Sequence, residues 1–309
     1  MSELRRMAQD LLDRPLVDPP STADLRRRSR ARRSRNALGG GTALVVTALV
    51  VTILVTTLSG PSAPPTALLG PNKLASFIQA GVSVPDSVLE AVGLPSLVNV
   101  PEALSGRPAL TDAGKPAVVY IGAEYCPYCA VDRWALAVAL SRFGSFSNLG
   151  QVISSATDVV FPGLQSWTFH GSSYSGPYLT FDPAEIYSAT QGPSGGFTPL
   201  DTLSPLQRQT MDTYDVSPLG GLQPGEHGYP FIDVGNRFVI NTTASPTPLE
   251  GLTANQIAAD LSDPSSLVAQ TIDGSANYLI AALCQITGVN AAPICSSTFV
   301  AQAQARMAS

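Results

Sequence analysis

Cys126 and Cys129, with Pro127 and Tyr128 between them, are the side chains of this 309-residue chain best placed by type and spacing to do chemistry. Two thiols three positions apart lie on one face of a helix, a turn from each other. Residues 117–121 ahead of them form an apolar run that reads as a buried strand, and Gly122 and Ala123 shorten the side chains where the chain turns. Behind them Trp134, Leu136, Val138 and Leu140 fall among the apolar positions of a helical pattern. Strand, C-x-x-C and helix in succession is the setting in which this motif means thiol–disulfide exchange. At a helix start the unpaired backbone N–H groups and the positive end of the dipole favour a thiolate. Thiols so placed titrate from roughly 3.5 to 7.5 rather than ~8.5. Pro127 suits the first turn, where its missing N–H has no partner to lose. Cys126 is therefore the expected nucleophile. Cys129 is the resolving thiol, which attacks a mixed disulfide formed at Cys126.

A zinc site is the rival use of such a pair, but it calls for a second pair at ligand spacing. Cys284 and Cys295 are too far apart to supply it, and His170 and His227 are the chain's two histidines. An inert disulfide is the other alternative. No metal and no cofactor is expected.

The elements that must hold the pair follow from the rest of the chain. Residues 1–36 carry ten arginines against five acidic residues, whereas the remainder is acidic, which argues against nucleic acid as a partner of the main domain. Residues 37–58 contain no charge and are long enough to cross a bilayer as a helix. The arginines before them place the N-terminus in the cytoplasm by the positive-inside rule, so the protein is expected at the plasma membrane as a single-pass anchor. A cleaved signal peptide, whose apolar core usually runs only ~7–15 residues, is the rival reading. Leu4, Met7, Leu11 and Leu12 sit at helical spacing within a solvated tail. Residues 59–71 hold four prolines and read as a linker. The exported domain is then 72–309, with helices expected at 73–80 and at 86–92, the second closed by Gly93. Glu124 is either a buried influence on proton transfer or an exposed loop carboxylate.

Past the cysteine helix, residues 151–156 read as a second strand. Residues 161–187 are rich in aromatics that either pack an inserted subdomain or line a groove. Residues 204–214 have helix character. Residues 228–240 hold two apolar runs around Gly235-Asn236, the pattern of a β-hairpin, with Pro230 at the strand's first position, where a missing ladder donor is tolerated. Thr253 to Gln256 form a capping box. Residues 265–287 read as a helix, with a break expected near Gly274. Cys284 and Cys295 are either a structural disulfide worth ~2–3 kcal/mol or a second redox pair exchanging electrons with the first. Asn241-Thr242-Thr243 matches a glycosylation sequon, a pattern common by chance.

IGAEYCPYCAVDRWALAVALSRFGSFSNL, with GKPAVVY before it and GYPFIDVGNRF later, resembles the membrane-anchored thioredoxin-like proteins grouped as domain of unknown function 929, over roughly residues 83–295. The resemblance implies an α/β, thioredoxin-like fold with a C-terminal helical extension and a large insertion, about 157–225. It matches Cys126 and Cys129 to the redox motif and Pro230 to a cis-proline facing it. Tyr128 and Tyr229 become candidate substrate contacts. The expected activity is that of an extracytoplasmic thiol–disulfide oxidoreductase, acting on cysteine-containing exported proteins or a membrane redox partner. A copper-handling protein on the same fold, with His227 as added ligand, and a redox-inert binding module are the alternatives.

Overall fold

The computed structural model describes residues 68–97, 99–193, 195–214, 228–288 and 291–308. The arginine-rich tail, the apolar segment 37–58, most of the linker and His227 lie outside the described residues. Among those described, no helix is long and apolar enough to cross a membrane.

Two helices come first, α1 (Pro71–Val82) and α2 (Asp86–Val92). Gly93 ends α2 at φ 61°, a left-handed conformation that suits a residue without a side chain. The short strands β1 (Glu102–Ala103) and β2 (Thr111–Asp112) lead into β3 (Lys115–Gly122), and α3 (Pro127–Leu140) follows. Next come β4 (Ser145–Ser147), β5 (Gly150–Ile153), β6 (Gln165–Thr168) and β7 (Ser173–Ser175), which form two small antiparallel ladders, β4 with β7 and β5 with β6. After β8 (Thr180–Glu185), β9 (Tyr187–Gln191) and β10 (Phe197–Pro199) make an antiparallel ribbon. The chain continues through α4 (Pro205–Tyr214), β11 (Phe231–Val234) and β12 (Phe238–Ile240), then α5 (Ala254–Asp260), α6 (Leu267–Thr287) and α7 (Thr298–Met307).

β3 is the centre of a mixed sheet. It pairs parallel with β8 and antiparallel with β11, and β12 and β1 extend the sheet beyond β11. Alternate residues of β3 face opposite layers. Val118 and Tyr120 join the large core with α3 and α6, while Ala117, Val119 and Ile121 pack with Phe231 and with Met211 of α4. Helices on both faces explain why the run from 117 to 121 has no polar residue.

Several local expectations hold. Gly235 (φ 69°) and Asn236 (φ 53°) turn the β11–β12 hairpin, and Thr253 with Gln256 forms a reciprocal capping box on α5. Others need correction. The strand expected at 151–156 is shorter and pairs with β6, outside the central sheet. The parallel neighbour of β3 is instead β8, whose sequence TFDPAE has no apolar run. β8 lies on an edge, with β3 as its partner, and an edge tolerates Pro183. α6 runs unbroken through Gly274, where a Cβ would stand 2.3 Å from Pro95 Cγ. The glycine serves close packing and not a break. Three of the seven aromatics of the 161–187 stretch fill the core: Phe169 and Phe181 pack with Phe146, and Trp167 with Trp134 and Phe77.

Burial lifts three carboxyl groups away from the site. Asp132 rises to about 6 against hydrogen bonds from Thr243, Asp233 to about 7 against one from the Asn236 N–H, and Asp273 to about 8 against the charge of Arg142. A carboxyl whose folded value exceeds its unfolded one stabilises the fold below the unfolded value, ~3.9, and loses that contribution as pH rises through the folded one. The domain is therefore expected to melt at a lower temperature at pH 8 than at pH 5. Asp273→Asn should raise the pH 8 midpoint by about 2–8 °C, for a gain on the order of 1–2 kcal/mol. Calorimetry across that range checks both, and an unaltered slope in the variant would refute the assignment of Asp273.

Candidate active site

β3 ends at Gly122, and four residues later Cys126 stands as the N-cap of α3, with extended backbone angles and Pro127 as the first helical residue. The Cys129 N–H donates to Cys126 Sγ at 3.2 Å, so a first-turn amide left over by the helix is spent on the sulfur. The Cys126 thiol reaches the Tyr229 carbonyl oxygen at 3.6 Å. That carbonyl belongs to the cis Tyr229–Pro230 bond immediately before β11. The fold thus brings together Cys126, Cys129, Tyr229 and Pro230, which are a hundred residues apart in the chain.

The two sulfurs differ in access. Cys126 keeps 7% of its surface and Cys129 keeps none, and both are free thiols. Burial, reinforced by the hydrogen bond and charge of Cys126, pushes the Cys129 thiol well above its ordinary value. Ala123, Ile186, Tyr125 and Tyr229 pack around the pair. Tyr125 stacks on Phe197 of β10 with ring centroids 4.0 Å apart, and burial with the nearby cysteines pushes its hydroxyl to about 12. Tyr128 is 38% exposed and meets Phe161 edge-on at 5.9 Å.

Behind the cysteines lies a group that the sequence reading missed. Arg133, one turn beyond Cys129 on α3, sends Nη1 to both oxygens of Glu185 at 3.2 and 3.1 Å, and to the Ala123 carbonyl at 3.2 Å. Neither side chain is exposed to solvent. Burial lifts the Glu185 carboxyl to about 7, with Arg133 opposing and Glu124 adding to the rise. Burial alone would lower Arg133, but Glu185 together with Tyr120 and the two cysteines more than offsets that and keeps the guanidinium charged. Both partners act electrostatically on Cys129. Asp201 accepts from the Glu185 N–H at 2.9 Å and pairs with His170 at 2.6 Å, which anchors the end of β8.

A signal for Arg133 was present, since a charged pair, Asp132-Arg133, interrupts an apolar helix. Glu185 had none. Glu124, the acid named from sequence, is half-buried, with its N–H on the Tyr187 carbonyl. Cys284 and Cys295 form a disulfide from the end of α6 to the short helix Pro293–Ser296. They pack in the large core, apart from the cluster around Cys126 and Cys129. Among the described residues no group of three or more His, Cys, Asp or Glu could hold a metal ion.

The buried pair makes a measurable claim. Arg133→Met should cost about 3–5 kcal/mol in urea unfolding, because it leaves the Glu185 charge buried without its cation. Adding Glu185→Gln to that variant should recover much of the loss. A double variant as unstable as the two single losses added would show that the two side chains do not depend on each other.

Compared with known proteins, residues 105–202 match the model of a family described as a domain of unknown function (DUF929). The matched span holds Cys126, Cys129, Arg133 and Glu185 and stops short of Pro230. No curated protein and no solved structure matches the chain.

Proposed function

We propose that this protein is a thiol–disulfide oxidoreductase on a thioredoxin-like core, held outside the membrane by the apolar segment 37–58. The observation that carries the reading is the pairing of Cys126 as helix cap, hydrogen-bonded by the Cys129 N–H, with the Tyr229 carbonyl opposite it. The strand order β8–β3–β11–β12, with only β8 and β3 parallel, supports the core assignment, as do helices on both faces and a C-x-x-C pair leaving the central strand. The insertion then falls mainly between α3 and β8. The arginine-rich stretch ahead of residue 37 supports a cytoplasmic N-terminus.

In the reducing direction, the Cys126 thiolate attacks one sulfur of a substrate disulfide. A Cys126–substrate bond forms, and the second substrate sulfur leaves as a thiolate and takes a proton from water. Cys129 then gives up its proton, its sulfur attacks Cys126, and the first substrate sulfur leaves reduced. Two electrons have passed to the substrate, and the motif holds the Cys126–Cys129 bond. The oxidising direction is the reverse. Burial makes the Cys129 thiol hard to ionise, and we assign Glu185, whose charge acts on it from within the core, as the acceptor of its proton. Arg133 is a positioning residue for that carboxylate.

Cys129→Ala should accumulate mixed disulfides at Cys126 with exported proteins, and Cys126→Ala should abolish exchange. Failure of the wild-type protein to exchange with any disulfide would sink the reading in favour of an inert module. Glu185 accepts a proton only when ionised, so the resolving step should speed up as pH rises through about 7. Glu185→Gln should slow it by on the order of tenfold to a hundredfold and flatten that rise. Stopped-flow decay of a preformed Cys126 adduct measures it, and an unchanged pH profile would remove Glu185 from the mechanism.

A further inference from the structure

The connection from β5 to β6 exposes Val159 to 96% and Val160 to 60%. Single exposed apolar residues are ordinary. This pair is unusual because its loop is tied down. The Ser155 N–H donates to the Tyr125 carbonyl at 3.0 Å, and the Gly163 N–H to the Ser155 carbonyl at 3.1 Å. Asp158 Oδ1 accepts from the Val160 and Phe161 N–H groups at 2.9 and 2.7 Å. That turn holds the two valines outward while Phe161 folds back onto Tyr128, the exposed residue between the two cysteines. The loop is therefore ordered beforehand, and apolar contact with it would cost little further entropy. The chain segments framing Cys126 (122–129, 154–164, 186–199 and 228–230) contain Glu124 and Asp158 and no lysine or arginine.

We infer that this loop, with Tyr128, is a docking platform for the polypeptide around the reacting cysteine, and that it selects segments with apolar and basic neighbours over acidic ones. The inference rests on the oxidoreductase reading and names its substrate class. Two carboxylates, with no lysine or arginine in those segments, repel anionic lipid headgroups and small anionic thiols such as glutathione, which leaves an unfolded, non-acidic exported chain as the fitting occupant.

The test uses the full-length protein and the double variant Val159→Ser/Val160→Ser. Both side chains are exposed, so the variant should keep the wild-type melting temperature. Substrates are disulfide-linked peptides whose cysteine is flanked by leucine and lysine, by serine, or by glutamate, with 2-hydroxyethyl disulfide as the small control. The double variant should lose about tenfold in kcat/KM on the leucine–lysine peptide. Its rate on the small disulfide should stay within about twofold of wild type. Glu124→Gln, or high salt, should narrow the preference for lysine over glutamate. Equal losses on peptide and small disulfide, or none on the peptide, would overturn the platform. Valine-dependent binding to anionic phosphatidylglycerol vesicles would overturn it in favour of a membrane contact. If the wild-type protein exchanges with neither 2-hydroxyethyl disulfide nor any of the peptides, the oxidoreductase reading falls and the platform with it; loss of the platform alone leaves the small-disulfide rate intact.

Discussion

The bond between Arg133 and Glu185 sets the terms for the rest of the domain. It joins the helix that carries both cysteines to the strand that runs parallel to β3, and it does so where neither charge sees water. Such a pair gains little net stability over apolar residues of the same size, because desolvating each ion costs about as much as their attraction returns. What it supplies is position and a reserve of charge. Arg133 Nη1 also holds the Ala123 carbonyl, in the turn that leads from β3 to Cys126. The same contact that fixes Glu185 thus fixes the approach to the reactive sulfur.

That site depends on a strand buried on both faces. β3 runs between two helical layers, so the chain leaving it at Gly122 has a fixed exit, and α3 starts five residues after the strand ends, with Cys126 as its cap. From the other side, the β11–β12 hairpin pairs with β3 through Phe231 opposite Ile121, which brings Tyr229 to the same end of the sheet. Register does the work here. A slip of β11 by one residue against β3 would turn Phe231 away from the layer that Ile121 faces.

The features legible in sequence were those with local causes. The strand, the C-x-x-C pair and the following helix are contiguous; Gly93 stops α2, Gly235-Asn236 turns the hairpin, and Thr253 caps α5 within a few residues of the element each governs. The features that were missed depend on distant partners. β8 looks like loop because its polar face and Pro183 make sense only at a sheet edge, and Glu185 acquires its environment from a helix 52 residues earlier. Gly274 reads as a breaker until Pro95, far away in sequence, is found against it. Asp132-Arg133 was the one visible anomaly, and it marked the buried network without naming its partners.

That adjacent pair also explains how an otherwise slippery helix is held. The interior of α3 after the motif is nearly all alanine, valine and leucine, apolar on every side, and such a surface can pack at more than one axial position with similar energy. Neighbouring residues on a helix point about 100° apart, so Asp132 and Arg133 reach different walls. Asp132 accepts from the Thr243 N–H at 3.2 Å and from its hydroxyl, just beyond β12, while Arg133 grips Glu185 at the end of β8. Sliding the helix by one residue would break both sets of bonds at once and leave charges buried without partners, a penalty that apolar packing cannot offset. Two directional contacts on two walls therefore fix where the helix begins. Because the helix begins at Cys126, they also fix the distance from its sulfur to the Tyr229 carbonyl.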